Sequence, residues 1–246
     1  MKQAHTWLIA NWKMNGDRAR VHAYAAEMGR ALADAALDVT VVFCPPSPYL
    51  ASARDAIGEA SPLKLGGQDC HAKTHGACTG EVSAPMLADM GCSYVIVGHS
   101  ERRAEGETCA DVCAKAEAAM AAGLIPIICI GESRAEYEAG RTRAALSEQL
   151  VPIAALSATD YLIAYEPIWA IGTSQTPSSI EIADAHTHIK SALGSETCVL
   201  YGGSVNAANG EEILGIAHVS GALIGGASLE ISSMRAILAC ATKRGM

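Results

Sequence analysis

The stretch IPIICIGESRAEYEAGRTRAALSEQL, residues 125–150, sets the pattern by which the rest of the chain is read. It opens on Ile125 to Ile130, an apolar run with no polar alternation, turns at Gly131, and continues into Arg134 to Leu150, which reads as a helix. A strand that is apolar at successive positions must be covered on both faces, as in a parallel sheet whose crossover helices pack against it. Outward from this stretch the same alternation recurs. Further strand candidates are Trp7 to Ala10, Val39 to Phe43, Leu63 to Leu65, Tyr94 to Val97, Tyr161 to Tyr165, Cys198 to Tyr201 and Ala222 to Ile224. Between them Val21, Tyr24, Ala25, Met28 and Leu32 repeat at helical spacing, and Ala110 to Ala122 reads as a helix too. Asp17 and Ser47 are suited to N-caps or first turns. Eight β-then-α units in 246 residues are the arithmetic of a (β/α)8 barrel. A doubly wound open sheet is the alternative, but it calls for a glycine-rich turn after an early strand, and the first run ends in Asn11, Trp12 and Lys13. No linker or charge run marks a second domain, so one barrel domain over residues 1–246 is expected.

Composition narrows the function. Half of the residues are hydrophobic and the formal net charge is −8, the wrong sign for a surface that neutralises nucleic-acid phosphates. Aromatic residues make up 4%, with a single phenylalanine, so platforms for stacking bases are scarce. The longest apolar stretch, Ala118 to Ile130, is interrupted by Gly123 and Pro126 and is shorter than the ~18 residues of a spanning helix, so no membrane segment is expected. The start, MKQAHTWLIANWKMN, lacks a signal-peptide core, and a cytoplasmic location is the expectation. The nine cysteines fall at irregular spacings without a CxxC pair or a zinc pattern, and reduced, mostly buried thiols are expected.

In a parallel barrel the active site lies at the carboxyl ends of the strands. The first run ends in Asn11 and Lys13, the fourth in Gly98, His99 and Ser100, and the sixth in Glu166. The seventh ends in Gly202, Gly203 and Ser204, and the eighth in Gly225 and Gly226. Each residue alone has a mundane reading as surface charge, cap or turn; their joint placement on one rim carries the argument. Glycine-rich loops after the last two strands, with a short helix N-terminus, make a phosphate site, because backbone N–H groups approach the oxygens closely. No triphosphate loop and no carboxylate cluster with metal-ligand spacing is present, so neither metal nor cofactor is expected. A carboxylate, an imidazole and an ammonium beside a phosphate suit proton abstraction next to a carbonyl, the class that includes aldose–ketose isomerisation. Glu166 would take the proton while His99 and Lys13 stabilise the enediolate oxygen.

The strings NWKMN from Asn11, GHSERR from Gly98, YEPIWAIGT from Tyr165, YGGSV from Tyr201 and IGGASL from Ile224 resemble the triosephosphate isomerase family, in its order and across the whole chain. The family is itself a standard example of a neutral histidine electrophile and of a closing lid. The resemblance implies a TIM barrel that interconverts glyceraldehyde 3-phosphate and dihydroxyacetone phosphate, with Glu166 as general base, His99 as neutral electrophile, and Lys13 and Asn11 on the substrate. It implies a lid from Pro167 to Thr176 whose Gly172 amide grips the phosphate, with Ser204, Gly225 and Gly226 completing that site. Cys129 matches a buried family cysteine, for which packing is the expected role. The resemblance further implies a homodimer in which the loop from Gln68 to Glu81 docks beside the partner's active site. Thr79, Gly80 and Glu81 match that loop, Arg102 the arginine that pairs with its glutamate, and Met14 the residue it surrounds.

Two positions depart from the family pattern. Cys78 stands where the docking loop commonly has phenylalanine, removing much of an aromatic anchor. Ser174 and Gln175 stand where the lid's far hinge usually has glycine and then lysine or an aliphatic residue, so a stiffer or differently populated lid is expected. Two other readings compete with the isomerase: a non-catalytic barrel that binds a phosphometabolite or another surface, and a different phosphate-binding barrel enzyme. A binding protein has no need of a placed base, and the other enzyme would need different strand-end groups.

Overall fold

A computed structural model describes residues 5–33, 38–58, 60–156, 160–171 and 175–243. The strands are β1 (Thr6–Asn11), β2 (Val39–Cys44), β3 (Lys64–Gly67), β4 (Cys92–Val97), β5 (Ile125–Ile130), β6 (Leu162–Tyr165), β7 (Cys198–Tyr201) and β8 (Gly221–Ile224). They form a closed barrel in sequence order. Every neighbouring pair is parallel, and β8 returns to β1 with Gly221 opposite Trp7. That closure needs glycine, because a Cβ at Gly221 would lie 1.9 Å from the Trp7 carbonyl oxygen.

The helices are α1 (Arg18–Ala33), α2 (Leu50–Ile57), α3 (Ala84–Asp89), α4 (Ser100–Ala104), α5 (Cys109–Ala121), α6 (Arg134–Glu138), α7 (Thr142–Ala154), α8 (Ser179–Leu193), α9 (Gly210–Gly215) and α10 (Ile231–Lys243). None is long and apolar enough to cross a membrane. Asp17 caps α1 as expected, its carboxylate accepting the Arg20 N–H at 2.9 Å. Ser47 stands in the first turn of a 3-10 helix ahead of α2, one of the two places expected for it.

Two expectations are corrected. The segment read as one helix from Arg134 to Leu150 is two, α6 and α7. Gly140 takes a left-handed φ of 66°, which ends α6, while a capping box between Ser133 and Glu136 starts it. The third strand lies further along than Leu63 to Leu65, running through Gly66 and Gly67. Those glycines escaped a reading based on apolar runs; here they relieve crowding, since a Cβ on Gly67 would come within 2.5 Å of Leu87.

The two buried layers explain why the strands are apolar throughout. Ile9, Val42, Tyr94, Ile96, Ile127, Cys129, Leu162, Ala164, Leu200 and Leu223 fill one cluster. Their neighbours Leu8, Ala10, Val95, Val97, Ile128, Ile130, Ile163 and Tyr165 belong to another, with Val21, Met28, Val112, Leu146 and Ile182 of the surrounding helices. Alternate strand residues thus point into the barrel and out to the helices, and both directions are sealed from water.

The outer layer also holds a buried imidazole. His186 of α8 is fully buried, its ring edge-on to Tyr165 with centroids 5.9 Å apart. Its Nδ1 donates to the His218 carbonyl at 3.3 Å. Burial pulls the imidazole down from 6.5 to about 4, because the cation is poorly solvated there. A histidine depressed in the fold stabilises it above the unfolded value, and that contribution drains away as pH falls from 6.5 to about 4. We expect this to cost up to about 3 kcal/mol. Urea unfolding across that interval checks it: His186→Gln should flatten the pH dependence, and an unchanged slope would exclude His186 as its source.

Candidate active site

The inward parity of the strands continues past their ends and builds the site. On β1 the inward row Trp7, Ile9 leads to Asn11 and then Lys13; on β6, Leu162 and Ala164 lead to Glu166. On β5 and β7 the same rows end in Gly131 and Gly202. Glu166 sits between these two glycines. A Cβ at Gly131 would be 1.7 Å from the Glu166 carbonyl oxygen, and one at Gly202 would be 2.8 Å from its Cγ. Only residues without side chains leave room for the glutamate.

Glu166 is 2% exposed, and no lysine or arginine among the described residues forms an ion pair with its carboxylate. Hydrogen bonds serve instead. Oε2 accepts the Ser100 N–H at 2.9 Å, and Oε1 lies 3.1 Å from His99 Nε2. His99 is the N-cap of α4, and its Nδ1 accepts the Glu101 N–H at 3.2 Å. An Nδ1 that accepts carries no proton, so the ring proton resides on Nε2 and faces Glu166. The tautomer is therefore set by the backbone of the helix's first turn.

Lys13 extends from a backbone held at φ 51°, a left-handed conformation uncommon outside glycine. Two contacts hold it there: its N–H donates to Asn11 Oδ1 at 3.1 Å, and Gln68 donates to its carbonyl at 2.9 Å. The ammonium pairs with Glu101 at 2.6 Å. Asn11, Lys13, His99 and Glu166 line a cleft of about 430 Å³ with Ser204, Gly225 and Gly226 on its far wall. The loop after β8 enters a short 3-10 helix over Gly226–Leu229, where a short helix is expected. Gly172 and Ser174 lie outside the described residues. Gln175 accepts a hydrogen bond from Arg134 at 3.0 Å.

A second cleft of about 340 Å³ adjoins the first, lined by Asn11, Lys13, Gln68, Gly80, Glu81, His99 and Arg102. Met14 is 96% exposed, Thr79 and Glu81 are exposed, and Cys78 is half-buried. Arg102 pairs with Asp69 at 3.1 Å and Glu105 at 2.7 Å. Cys129 is buried below Glu166, and burial, then the nearby Glu166 charge, push its thiol well above the usual range. Packing accounts for it.

Sequence reading missed Glu101, Gln68 and Glu132. Glu101 and Gln68 act through partners distant in sequence. Glu132 is fully buried and accepts from Trp169 Nε1 at 2.6 Å and Tyr165 OH at 3.2 Å, and burial raises its carboxyl above the usual range. The GES string after β5 places it at a strand end, the only signal available.

The match of known proteins to this arrangement is extensive. Residues 6–241 fit the sequence profile of the family described as triosephosphate isomerase. The chain belongs to the triosephosphate isomerase family. A protein of that name from Afipia carboxidovorans is 47% identical over 241 residues, covering 94% of this chain and 95% of that one. One from Ruegeria pomeroyi is 48% identical over 240 residues, with 93% and 94% covered. The crystal structure of triosephosphate isomerase from Bartonella henselae superposes with a TM-score of 0.86 at 37% identity, covering 96% of this chain and 98% of that one. The matched residues span all eight strands. We expect Gly131→Ala to lose about 1–3 kcal/mol of stability, the usual cost of overpacking, because the obstructing atom is backbone. Urea denaturation measures it, and an unperturbed midpoint would contradict the crowding.

Proposed function

We propose that the chain interconverts D-glyceraldehyde 3-phosphate and dihydroxyacetone phosphate through an enediolate, with Glu166 as the general base. The observation that carries this reading is the pairing of a buried carboxylate with the Nε2–H of His99 on the rim that also bears Lys13. Hydrogen bonds hold this carboxylate over the cleft. Substrate entering the cleft displaces Glu166 from the Ser100 N–H. The freed carboxylate removes a proton from the carbon beside the carbonyl. The negative charge that develops on oxygen is met by the His99 Nε2–H and the Lys13 ammonium, both in place before the reaction. Asn11 orients the substrate, a proton shifts from the hydroxyl oxygen to the former carbonyl oxygen, and the carboxylic acid of Glu166 returns its proton to the neighbouring carbon. Ser204, Gly225 and Gly226 supply the phosphate contacts, with Gly172 from the lid completing them. No step calls for a metal or redox cofactor.

The same reading makes the protein a homodimer, each copy inserting the loop that carries Thr79 and Glu81 into the cleft beside Lys13 and His99. The nearly complete exposure of Met14 supports it, since a methionine in this position gains from being covered. Arg102 would exchange part of its pairing with Asp69 and Glu105 for Glu81 of the partner. The half-buried Cys78 supplies less apolar area to this contact than an aromatic would.

Purified protein supplied with glyceraldehyde 3-phosphate should turn it over without added metal or nucleotide, and Glu166→Gln should lower kcat by about 10²–10⁴, the usual contribution of a positioned base. A folded wild-type chain without turnover would overturn the proposal and leave the phosphometabolite-binding reading. Sedimentation equilibrium tests the assembly: Met14→Glu should shift the chain to monomer, and an unaltered mass would place the interface elsewhere.

A further inference from the structure

Arg103, on α4, joins three elements behind His99. Its Nε donates to the Gly98 carbonyl at 2.9 Å and its Nη2 to the Cys129 carbonyl at 3.0 Å. Its Nη1 reaches Cys109 Sγ at 3.4 Å. These two carbonyls lie at the ends of β4 and β5, and Gly98 immediately precedes His99. Cys109 opens α5, and Cys113 stands one turn later on the same side. Both thiols are half-buried, whereas Cys44, Cys70, Cys92 and Cys129 are buried. The remaining partly exposed cysteines, Cys78, Cys198 and Cys240, belong to separate elements.

Residues four apart on a helix hold their Cβ atoms about 5–6 Å apart. A disulfide needs about 3.5–4.5 Å, so direct oxidation of the pair would unwind the turn. One atom placed between the sulfurs spans the gap with the helix intact. A soft divalent cation would ask for further ligands, and among the described residues no group of three His, Cys, Asp or Glu side chains is placed to hold one. Trivalent arsenic that already bears one carbon substituent needs two sulfurs and no more.

We propose that Cys109 and Cys113 form a dithiol site for monosubstituted trivalent arsenicals, and that its occupation reaches the active site through Arg103. With phenylarsine oxide the two S–H protons pass to the arsenic-bound oxygen, which leaves as water. Two As–S bonds replace the bond to oxygen, arsenic remains trivalent, and nothing is oxidised or reduced. Drawing Cys109 Sγ toward Cys113 takes it from Arg103, which loosens the hold on the Gly98 carbonyl and hence the setting of His99. The effect on turnover rests on the isomerase reading; the adduct does not.

The full chain is treated with phenylarsine oxide in excess 2-mercaptoethanol, and its intact mass and isomerase turnover are recorded. One adduct per chain should resist the monothiol and be removed by 1,2-ethanedithiol, and turnover should fall several-fold and return with its removal. Cys113→Ala keeps the Arg103 contact to Cys109, so its untreated turnover should be unchanged while the resistant adduct disappears. A resistant adduct that persists in Cys113→Ala, or its absence from the wild type, would overturn the site. Full labelling without loss of turnover would overturn the coupling through Arg103. An untreated chain with no turnover would count against the proposed reaction alone, since the adduct is read by mass.

Discussion

A closed parallel barrel permits each strand two directions only, inward and outward, and both are buried. That constraint governs everything else in the molecule. It makes the strands apolar throughout, and it sends the inward row of β1 and β6 through aliphatic side chains to Asn11, Lys13 and Glu166 at the open end. The site is the top of the core, so the same packing that stabilises the barrel also sets the positions of its polar residues. Gly131 and Gly202 are part of that packing. They give up side chains so that a glutamate fits where the rows on either side would otherwise close.

The electrostatics of the rim separate two carboxylates by partner. Glu101 takes the Lys13 ammonium, while Glu166 is held by the Ser100 N–H and the His99 Nε2. The division gives the Lys13 ammonium a carboxylate partner other than Glu166. The strained backbone of Lys13 is held by Asn11 and Gln68, which meet it from its own strand end and from the loop after β3. Strain of this kind survives because several elements determine the position at once.

Behind this first set of contacts stands a second. Arg103 ties the ends of β4 and β5 to α5, and Glu132 collects Tyr165 and Trp169 beside the loop that follows β6. Arg103 donates to backbone carbonyls and Glu132 accepts from neutral side chains, so both fix geometry beside the rim. Arg103 thereby links Cys109 on α5 to the Gly98 carbonyl that precedes His99.

Strand count, barrel class and the rim residues were legible in the sequence because apolar runs and the residues that end them are local features. Lys13, His99 and Glu166 each follow a run directly, and five motif strings carried the family. The single helix read from Arg134 to Leu150 failed at Gly140, where left-handed backbone outweighs helical periodicity on either side. The third strand was misplaced because its glycines answer to Leu87 and Cys44 across the fold rather than to any local preference. What only the tertiary structure decided was pairing: which carboxylate meets Lys13, which ring nitrogen of His99 is free to donate, and why Glu166 is flanked by glycines. Periodicity and composition act over neighbouring residues, whereas a hydrogen bond from Ser100 to Glu166 spans 66 positions and exists only once the barrel has closed.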